Sequence, residues 1–405
     1  MRLWNRRDLV AGLAAGGALK CAPLALAAGP RDARLVVVIL RGALDGLAAV
    51  PPYGDPDYAP LRGPLTLAPP GGSADAVLRL DATFGLHPRL GFLHEAFAEQ
   101  QLLVLHAAAS PYRERSHFDG QSVLENGTTR AHALPSGWLN RALAALPPGP
   151  GAAAERGVAL GASVPLMLRG PVDVASWSDA GGATLDEDTL QRLGELYSSD
   201  PLLSRRLADA LAMEAMAGNG AAEISAVASG SRAAGRYARL VQTAARLLGR
   251  DDGPRVAVFD TSGWDTHLNE GGAQGQLATR LAALDEGLRA LQSGLGPAWR
   301  STAVLLVTEF GRTAAANGTR GTDHGTATVA LLLGGAVRGG RVIADWPGLG
   351  ARALYQGRDV APTLDLRALF KGVLSEHWDL SARTLDDQVF PDSKAVRPLR
   401  DLIRT

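Results

Sequence analysis

Five short apolar runs, rich in β-branched residues, recur at wide spacing along this 405-residue chain. Such a run predicts a strand buried on both faces, because a strand with one solvent-exposed face would alternate apolar and polar residues. Between the runs, apolar residues repeat every three or four positions, as in amphipathic helices. This alternation favours an α/β fold, a mainly parallel sheet sandwiched by helices. The predicted strands are Leu35–Leu40, Leu102–Leu105, Val256–Phe259, Ala303–Val307 and Val329–Leu333, and the clearest predicted helices are Arg89–Gln100, Gln276–Leu291 and Leu364–Leu374.

The N-terminal residues have the pattern of an export signal. The pair Arg6-Arg7 precedes an apolar run of about 11 residues that stops before Lys20, which is the order of a twin-arginine signal. The run is shorter than the roughly 18 residues that span a bilayer, so it predicts no stable membrane anchor. The small residues of Ala25-Leu26-Ala27 fit a signal-peptidase site. We therefore expect a signal peptide at residues 1–27 and a periplasmic or secreted domain at residues 28–405.

Composition narrows the chemistry open to the exported domain. The single cysteine, Cys21, lies in the predicted signal, so the rest of the chain has no disulfide and no thiolate nucleophile or metal ligand. The whole chain has a formal net charge of +0, and removal of four basic residues and one acidic residue with the signal leaves −3. Because there is no basic surplus, we expect no nucleic-acid partner. The hydrophobic content of 46% is enough for one large core.

One long segment, about residues 185–250, is rich in alanine and helical in pattern but carries no strand signal. We interpret it as a helical insertion in a single α/β domain that spans residues 28–405. Nothing in its composition indicates chemistry of its own. The sequence leaves open whether this insertion recognises a protein partner.

Polar residues that can bind a metal ion or transfer protons cluster at the ends of the predicted strands. In a parallel sheet the carboxyl ends of the strands share one edge, where α/β folds place their sites. Carboxylates beside imidazoles are ligands that Zn²⁺, Mn²⁺ and Ca²⁺ accept without cysteine. A single pair is better explained as a surface histidine or a capping aspartate, but several clusters together favour a shared polar site, and a divalent metal ion in that site is a further step. The candidate metal ligands are Asp45, Asp265, His267, Glu309, Asp323 and His324.

Two roles are open for Ser116, which precedes a helix-like stretch. Serine is a preferred N-cap, and a serine at a helix N-terminus is also suited to nucleophilic attack on an anionic ester. We count the adjoining His117 among the candidate catalytic residues. Arg115 and Arg312 are candidates to grip a phosphate or sulfate, with pairing to a protein carboxylate as the alternative. His106, at the end of a predicted strand, is a further candidate for the site.

Several motifs that would indicate other chemistry are missing from the sequence. It has no G-x-S-x-G elbow, no P-loop, no G-x-G-x-x-G after the first strand and no H-E-x-x-H. The sequence therefore gives no support to standard serine-hydrolase chemistry, NTP hydrolysis or hydride transfer.

Seven motifs spread along the chain occur together: the twin-arginine start, Arg41–Leu47, Arg115–Phe118, Gly137–Leu139, Gly263–His267, Thr308–Arg312 and Asp323–Gly325. In this combination the chain resembles the DUF1501 proteins, an exported bacterial family without a characterised function. The resemblance implies similarity to the alkaline phosphatase and sulfatase superfamily, whose α/β sandwich uses metal ions to hydrolyse phosphate or sulfate esters.

The resemblance also implies roles for individual residues. An early aspartate ligand, a nucleophile, a middle aspartate and histidine, and a late histidine are matched in that order by Asp45, Ser116, Asp265, His267 and His324. Where the superfamily usually has Asp-His after a later strand, this chain has Glu309-Phe310, so one imidazole ligand is missing. This difference favours one metal ion, or none, over two.

Two functions of different classes follow from the sequence. The leading hypothesis is an exported metal-dependent hydrolase that acts on phosphate or sulfate esters, either small molecules or polymers. The alternative is a periplasmic binding or assembly protein that keeps a hydrolase-like scaffold without turnover. The missing imidazole at Phe310 and the lack of a sharply defined nucleophile favour this alternative.

Overall fold

The computed structural model covers most of the chain beyond the predicted signal. It describes residues 32–147, 156–161, 163–178, 192–193, 196–197, 199–205, 207–208, 211 and 232–404. The predicted signal at residues 1–27 and much of the predicted insertion lie outside these ranges. Within them, no helix combines the length and the apolar character that crossing a membrane requires.

A mixed sheet of nine strands organises the described residues, and a separate pair of short strands lies outside it. The strands are β1 Arg34–Arg41, β2 Leu78–Arg79, β3 Gly85–Leu86, β4 Leu102–Ala109, β5 Gly157–Leu160, β6 Ala175–Trp177, β7 Val256–Ser262, β8 Thr302–Val307, β9 Thr328–Leu333, β10 Arg341–Ile343 and β11 Leu364–Asp365. The order in the large sheet is β10-β4-β9-β8-β1-β7-β5-β6, with β11 beside β4. The α/β class and the mainly parallel sheet are confirmed, since within the described ranges β9 alone runs against the rest.

Helices cover both faces of this sheet. They are α1 Gly46–Ala49, α2 Tyr58–Arg62, α3 Gly91–Ala98, α4 His117–Asn126, α5 Trp138–Ala145, α6 Arg232–Gly249, α7 Gln276–Leu295, α8 Leu366–Trp378 and α9 Ala382–Thr384, with 3₁₀ turns at Gly63–Leu65, Leu166–Leu168 and Gly296–Ser301 and a π turn at Leu385–Val389. Val36 of β1 lies in one core with α3, α6 and α7, whereas its neighbour Leu35 lies in a second core with α5 and α8. Successive residues of a strand point to opposite faces, so a strand covered on both faces has no polar alternation.

Helix α6 ends the segment predicted as an insertion. Its buried residues Leu240, Val241 and Ala244 belong to the same core as α7 and β7, so this end of the segment covers the sheet. Most of residues 179–231 lie outside the described ranges, and the insertion stays a prediction.

The direction of β9 decides where two candidate site residues lie. Asp323 and His324 precede β9, and in a fully parallel sheet they would lie at the edge opposite the other clusters. Because β9 is antiparallel to β8 and β4, its amino end lies at the edge formed by the carboxyl ends of its neighbours. The polar clusters after β1, β7 and β8 and the cluster before β9 therefore share one edge.

Candidate metal centre

Three side chains from distant segments meet at this edge of the sheet. His117 opens α4, Asp265 follows β7, and His324 precedes β9. One ligand atom of each lies within 4.8 Å of the ligand atoms of the other two. Asp265 and His324 were predicted as metal ligands, whereas His117 was predicted as a catalytic residue. The trio offers two imidazole nitrogens and one carboxylate, a donor set that divalent ions bind.

His267, also a predicted ligand, borders this trio. Its Nε2 lies 3.0 Å from His324 Nε2 and 3.1 Å from Asp265 Oδ1. At most one proton fits between two imidazole nitrogens at this separation, so at least one of them presents a bare lone pair. Burial lowers the pKa of His324, which favours the neutral ring that a metal ion requires. We therefore include His267 with the trio and call these four residues the histidine centre.

His117 is held in the orientation of a metal ligand. Its Nδ1 donates to Glu309 Oε1 at 2.8 Å, while its Nε2 is buried and has no hydrogen-bond partner among the described residues. This Nε2 lies 3.4 Å from Asp265 Oδ2. The hydrogen bond to Glu309 raises the pKa of His117 against the opposing effect of burial. A carboxylate behind an imidazole is the usual support of a ligating histidine, and here a metal ion would compete with a proton.

Glu309 supports the histidine centre from behind and is not brought into it. Its carboxylate is fully buried and also accepts hydrogen bonds from the Gly42 amide at 2.9 Å and from Gln121 at 3.1 Å. Burial alone would raise the pKa of Glu309, but these hydrogen bonds, that of His117 foremost, hold it below its ordinary value. Because donors of the protein occupy its oxygens, Glu309 does not act as a metal ligand here but holds His117 in position.

Arg312 is buried beside Asp265 and is not free to grip an anion. Its Nη1 donates to Asp265 Oδ1 at 2.5 Å, and its Nε donates to the Thr322 hydroxyl at 3.0 Å. Burial would raise the pKa of Asp265, but Arg312 lowers it below the ordinary value. Asp265 is therefore an ionised ligand candidate whose side chain is 38% exposed.

Arg115 pairs with a carboxylate as well. Its guanidinium donates to the buried Asp359 at 2.7 and 3.0 Å and to Gln356 at 2.6 Å. Its backbone carbonyl accepts from His324 Nδ1 at 3.0 Å, which directs His324 Nε2 toward Asp265. The sequence left open whether Arg115 and Arg312 bind an anionic substrate or pair with a protein carboxylate. In the structure both pair with a carboxylate. The two side chains hold parts of the site in position.

Ser116 is the N-cap residue of α4, yet its side chain makes no capping hydrogen bond. The Ser116 hydroxyl therefore does not cap α4, which was one of the two roles that the sequence left open. Its backbone amide donates to the Tyr112 hydroxyl at 3.1 Å, and its neighbour in the chain is His117. The residue is half-buried and adjoins the histidine centre.

Two further predicted ligands lie outside the centre. Asp45 is buried, caps α1 through the amides of residues 47 and 48, and is paired with the buried Arg62 at 2.6 Å. Burial would raise the pKa of Asp45, but Arg62 lowers it. Asp323 is 57% exposed and lies 3.3 Å from His267 Nδ1. The structure thus places Asp45 in a buried ion pair and Asp323 behind His267.

The sequence analysis missed Glu270, a buried residue that links the loop of His267 to the loop that precedes His324. This fully buried residue accepts hydrogen bonds from the hydroxyls of Thr266 at 3.0 Å and Thr322 at 2.8 Å, and it lies 3.5 Å from Arg62. Burial and the nearby Asp45 raise the pKa of Glu270 to about 8. Its position three residues after His267 is the only signal in the sequence, and that signal does not reveal burial.

Two glycines allow the loops to approach this closely. A Cβ on Gly325 would lie 2.3 Å from the backbone carbonyl of Arg312, and a Cβ on Gly321 would lie 2.3 Å from that of His267. Both distances are far inside van der Waals contact, so a side chain at either position would separate the loops that carry the centre.

His106 has a structural role. Its Nε2 donates to the Val50 carbonyl at 3.0 Å, and its ring stacks on Phe84 with the centroids 5.0 Å apart. Burial lowers its pKa to about 4. It is thus a neutral residue of the core, although the sequence left it as a candidate for the site.

Comparison with known proteins identifies a family and distant structural likenesses. The family model described as "Protein of unknown function (DUF1501)" matches residues 100–389. No curated protein matches the chain. Ps i-CgsB in complex with k-i-k-neocarrahexaose is similar with 10% identity and a TM-score of 0.41, and the match covers 90% of this chain and 74% of that chain. Phosphonate monoester hydrolase of Agrobacterium radiobacter is similar with 13% identity and a TM-score of 0.32, and the match covers 76% of this chain and 70% of that chain. The C-terminal periplasmic domain of EcEptC from Escherichia coli in complex with Zn is similar with 8% identity and a TM-score of 0.31, and the match covers 75% of this chain and 73% of that chain.

We expect Glu309→Gln to weaken zinc binding by about 10- to 100-fold without unfolding the protein, because the carboxylate that orients His117 is lost while its shape is kept. Competition with a chelator of known affinity measures the change. The exposed Glu286→Gln is the matched control and should bind as the wild type does. An unchanged affinity in Glu309→Gln would show that the carboxylate does not support the centre.

We expect Glu270→Gln to stabilise the protein increasingly as the pH rises. In the wild type the unfolded chain ionises Glu270 near its ordinary pKa of 4.5, whereas the folded chain holds the proton to about pH 8, so the free energy of unfolding falls across that window. Glutamine cannot ionise and avoids this loss. Calorimetry at pH 5, 6, 7 and 8 should show the Tm difference between Glu270→Gln and the wild type growing with pH, and a difference that stays constant would contradict it.

Proposed function

This chain belongs to the DUF1501 family of proteins of unknown function, and from that premise we propose that it is an exported metal-dependent hydrolase of phosphate or sulfate esters. One observation carries the proposal. Ligand atoms from His117, Asp265 and His324 converge at the sheet edge, and the buried Nε2 of His117, 3.4 Å from Asp265 Oδ2, makes no hydrogen bond among the described residues. A buried ring nitrogen that makes no hydrogen bond costs free energy unless a ligand meets it.

The donors fit a divalent ion, with one carboxylate and up to three imidazoles from His117, His267 and His324. Nitrogen-rich sets of this kind suit Zn²⁺ better than Mn²⁺ or Ca²⁺, which prefer oxygen ligands. The backing of His117 by Glu309 and of His324 by the Arg115 carbonyl is the hydrogen bonding that fixes ligating histidines.

A divalent ion held by these residues would supply polarisation of an ester oxygen and a lower pKa for a nearby hydroxyl or water. Ser116 attacks the phosphorus or sulfur atom, the bond to the ester oxygen breaks, and the alcohol leaves with the serine proton; alternatively Ser116 orients a water that attacks in the same way. Its hydroxyl is not used for capping, and it adjoins His117. The amides in the first turn of α4 favour an anion at this helix end. Arg312 and Arg115 act as positioning residues, through Asp265 and the His324 loop respectively.

The twin-arginine pattern supports the proposed location, periplasmic or secreted. The substrate is then an anionic ester met outside the cytoplasm, either a small molecule or part of a polymer. The twin-arginine route exports folded proteins, so the centre can acquire its ion before transport.

A second candidate function is a non-catalytic binding or assembly protein that keeps this centre. The observation that favours it is Phe310, which stacks on His117 with the centroids 5.1 Å apart. The resemblance implies an imidazole at this position, and phenylalanine offers no ligand atom.

We expect turnover of aryl phosphates or aryl sulfates in the presence of Zn²⁺ or Mn²⁺ that is abolished by a chelator. Ser116→Ala should lower kcat by at least about 100-fold with the metal content unchanged, because it removes the attacking or orienting hydroxyl. The exposed Ser163→Ala is the matched control. Metal binding without any turnover would favour the binding protein, and unchanged turnover in Ser116→Ala would remove Ser116 from the mechanism.

A further inference from the structure

Two exposed apolar residues are sequence neighbours of histidines of the centre. Phe118 is 84% exposed and Leu268 is 56% exposed. Within residues 32–147 and 232–404 no other large apolar side chain is exposed to a comparable degree. Each directly follows a histidine of the centre, since Phe118 comes after His117 and Leu268 after His267.

This placement distinguishes the pair from ordinary surface residues. Single exposed apolar side chains are common and need no explanation. Here, however, both follow histidines whose rings contact the same residue. The His117 ring lies 4.3 Å from the His324 ring, and the His267 ring lies 4.7 Å from it, between centroids. The two apolar residues therefore lie on segments that meet at the centre.

Both residues are carried on well-anchored backbone. Phe118 is the second residue of α4. Leu268 lies between His267, whose carbonyl accepts from Asn317 at 2.9 Å and from Thr319 at 2.7 Å, and a residue whose amide donates to the Thr319 carbonyl at 3.1 Å. An apolar surface on a fixed backbone can bind a ligand with a small loss of conformational entropy.

We propose that Phe118 and Leu268 form an apolar rim that binds the organic group of the substrate. The site then selects an ester in which an aromatic or alkyl group is attached to the phosphate or sulfate, in preference to a small hydrophilic ester. The anionic head lies at the histidine centre and the apolar group lies against the rim, where burial excludes water from both surfaces. This inference rests on the proposed function, because the centre provides the binding site for the anionic head.

Calorimetric titration of the zinc-loaded full chain with phenylphosphonate and methylphosphonate tests the rim without relying on turnover. The two probes share one anionic head and differ in apolar area. We expect phenylphosphonate to bind about 10-fold more tightly to the wild type, and this preference to fall to about 2-fold or less in the double variant Phe118→Ala, Leu268→Ala. Methylphosphonate affinity should change little.

Two controls isolate the rim. Phe118→Leu keeps an apolar side chain and should retain most of the preference. Leu202→Ala removes an exposed leucine that does not adjoin a histidine of the centre, and it should behave as the wild type does. Both rim positions are exposed, so the variants are expected to fold.

The outcomes separate the two proposals. Equal binding of both phosphonates by the wild type, or a preference that survives in the double variant, would overturn the rim and leave the anion site standing. If neither phosphonate bound the zinc-loaded protein, the proposed ester site would be overturned together with the rim.

Discussion

A carboxylate removed from water must accept hydrogen bonds from donors of the protein itself. At the sheet edge this requirement separates the buried acidic residues, whose oxygens are occupied by such donors, from the partly exposed Asp265, which can bind a metal ion. Glu309 is met by His117, Gln121 and a backbone amide. Asp45 is met by Arg62 and the first turn of α1. A buried carboxylate with such partners has no oxygen free for a metal ion. Breaking a buried ion pair to free one would cost about 3–5 kcal/mol. Asp265, by contrast, is partly exposed, and Arg312 donates to only one of its two oxygens among the described contacts.

The same requirement links the loops of the site into one unit. Glu270 accepts from Thr266 beside His267 and from Thr322 near His324. Thr322 in turn accepts from Arg312, which holds Asp265. Displacing one loop would leave a buried charge or hydroxyl unpaired, so the ligand candidates are held together by the layer beneath them. Metal sites depend on such supporting residues nearly as much as on the ligands.

Five adjacent strands of the sheet could be predicted from the sequence because each contains a continuous apolar run, whereas the short strands β5, β6, β10 and β11 were not predicted. All five predicted strands are present, and the shared edge brings His267, Asp265 and His324 together. The position of His324 depends on the reversal of β9, which periodicity does not reveal. Asp45 and Glu309 occupy the shared edge, but their burial, their partners and their distance from the centre depend on residues remote in sequence. Arg62 in α2 gave no pattern of its own, and the position of Glu270 three residues after His267 did not reveal its burial.

The central claim is that His117, Asp265, His267 and His324 bind one divalent ion. Metal content by mass spectrometry tests it most directly, on protein purified after export, with the wild type beside His324→Ala and beside His132→Ala, an exposed histidine outside the centre. We expect close to one ion per chain in the wild type and in His132→Ala, and its loss in folded His324→Ala. A folded wild type that is free of metal and cannot be loaded with Zn²⁺ or Mn²⁺, or metal retained in His324→Ala, would contradict the claim.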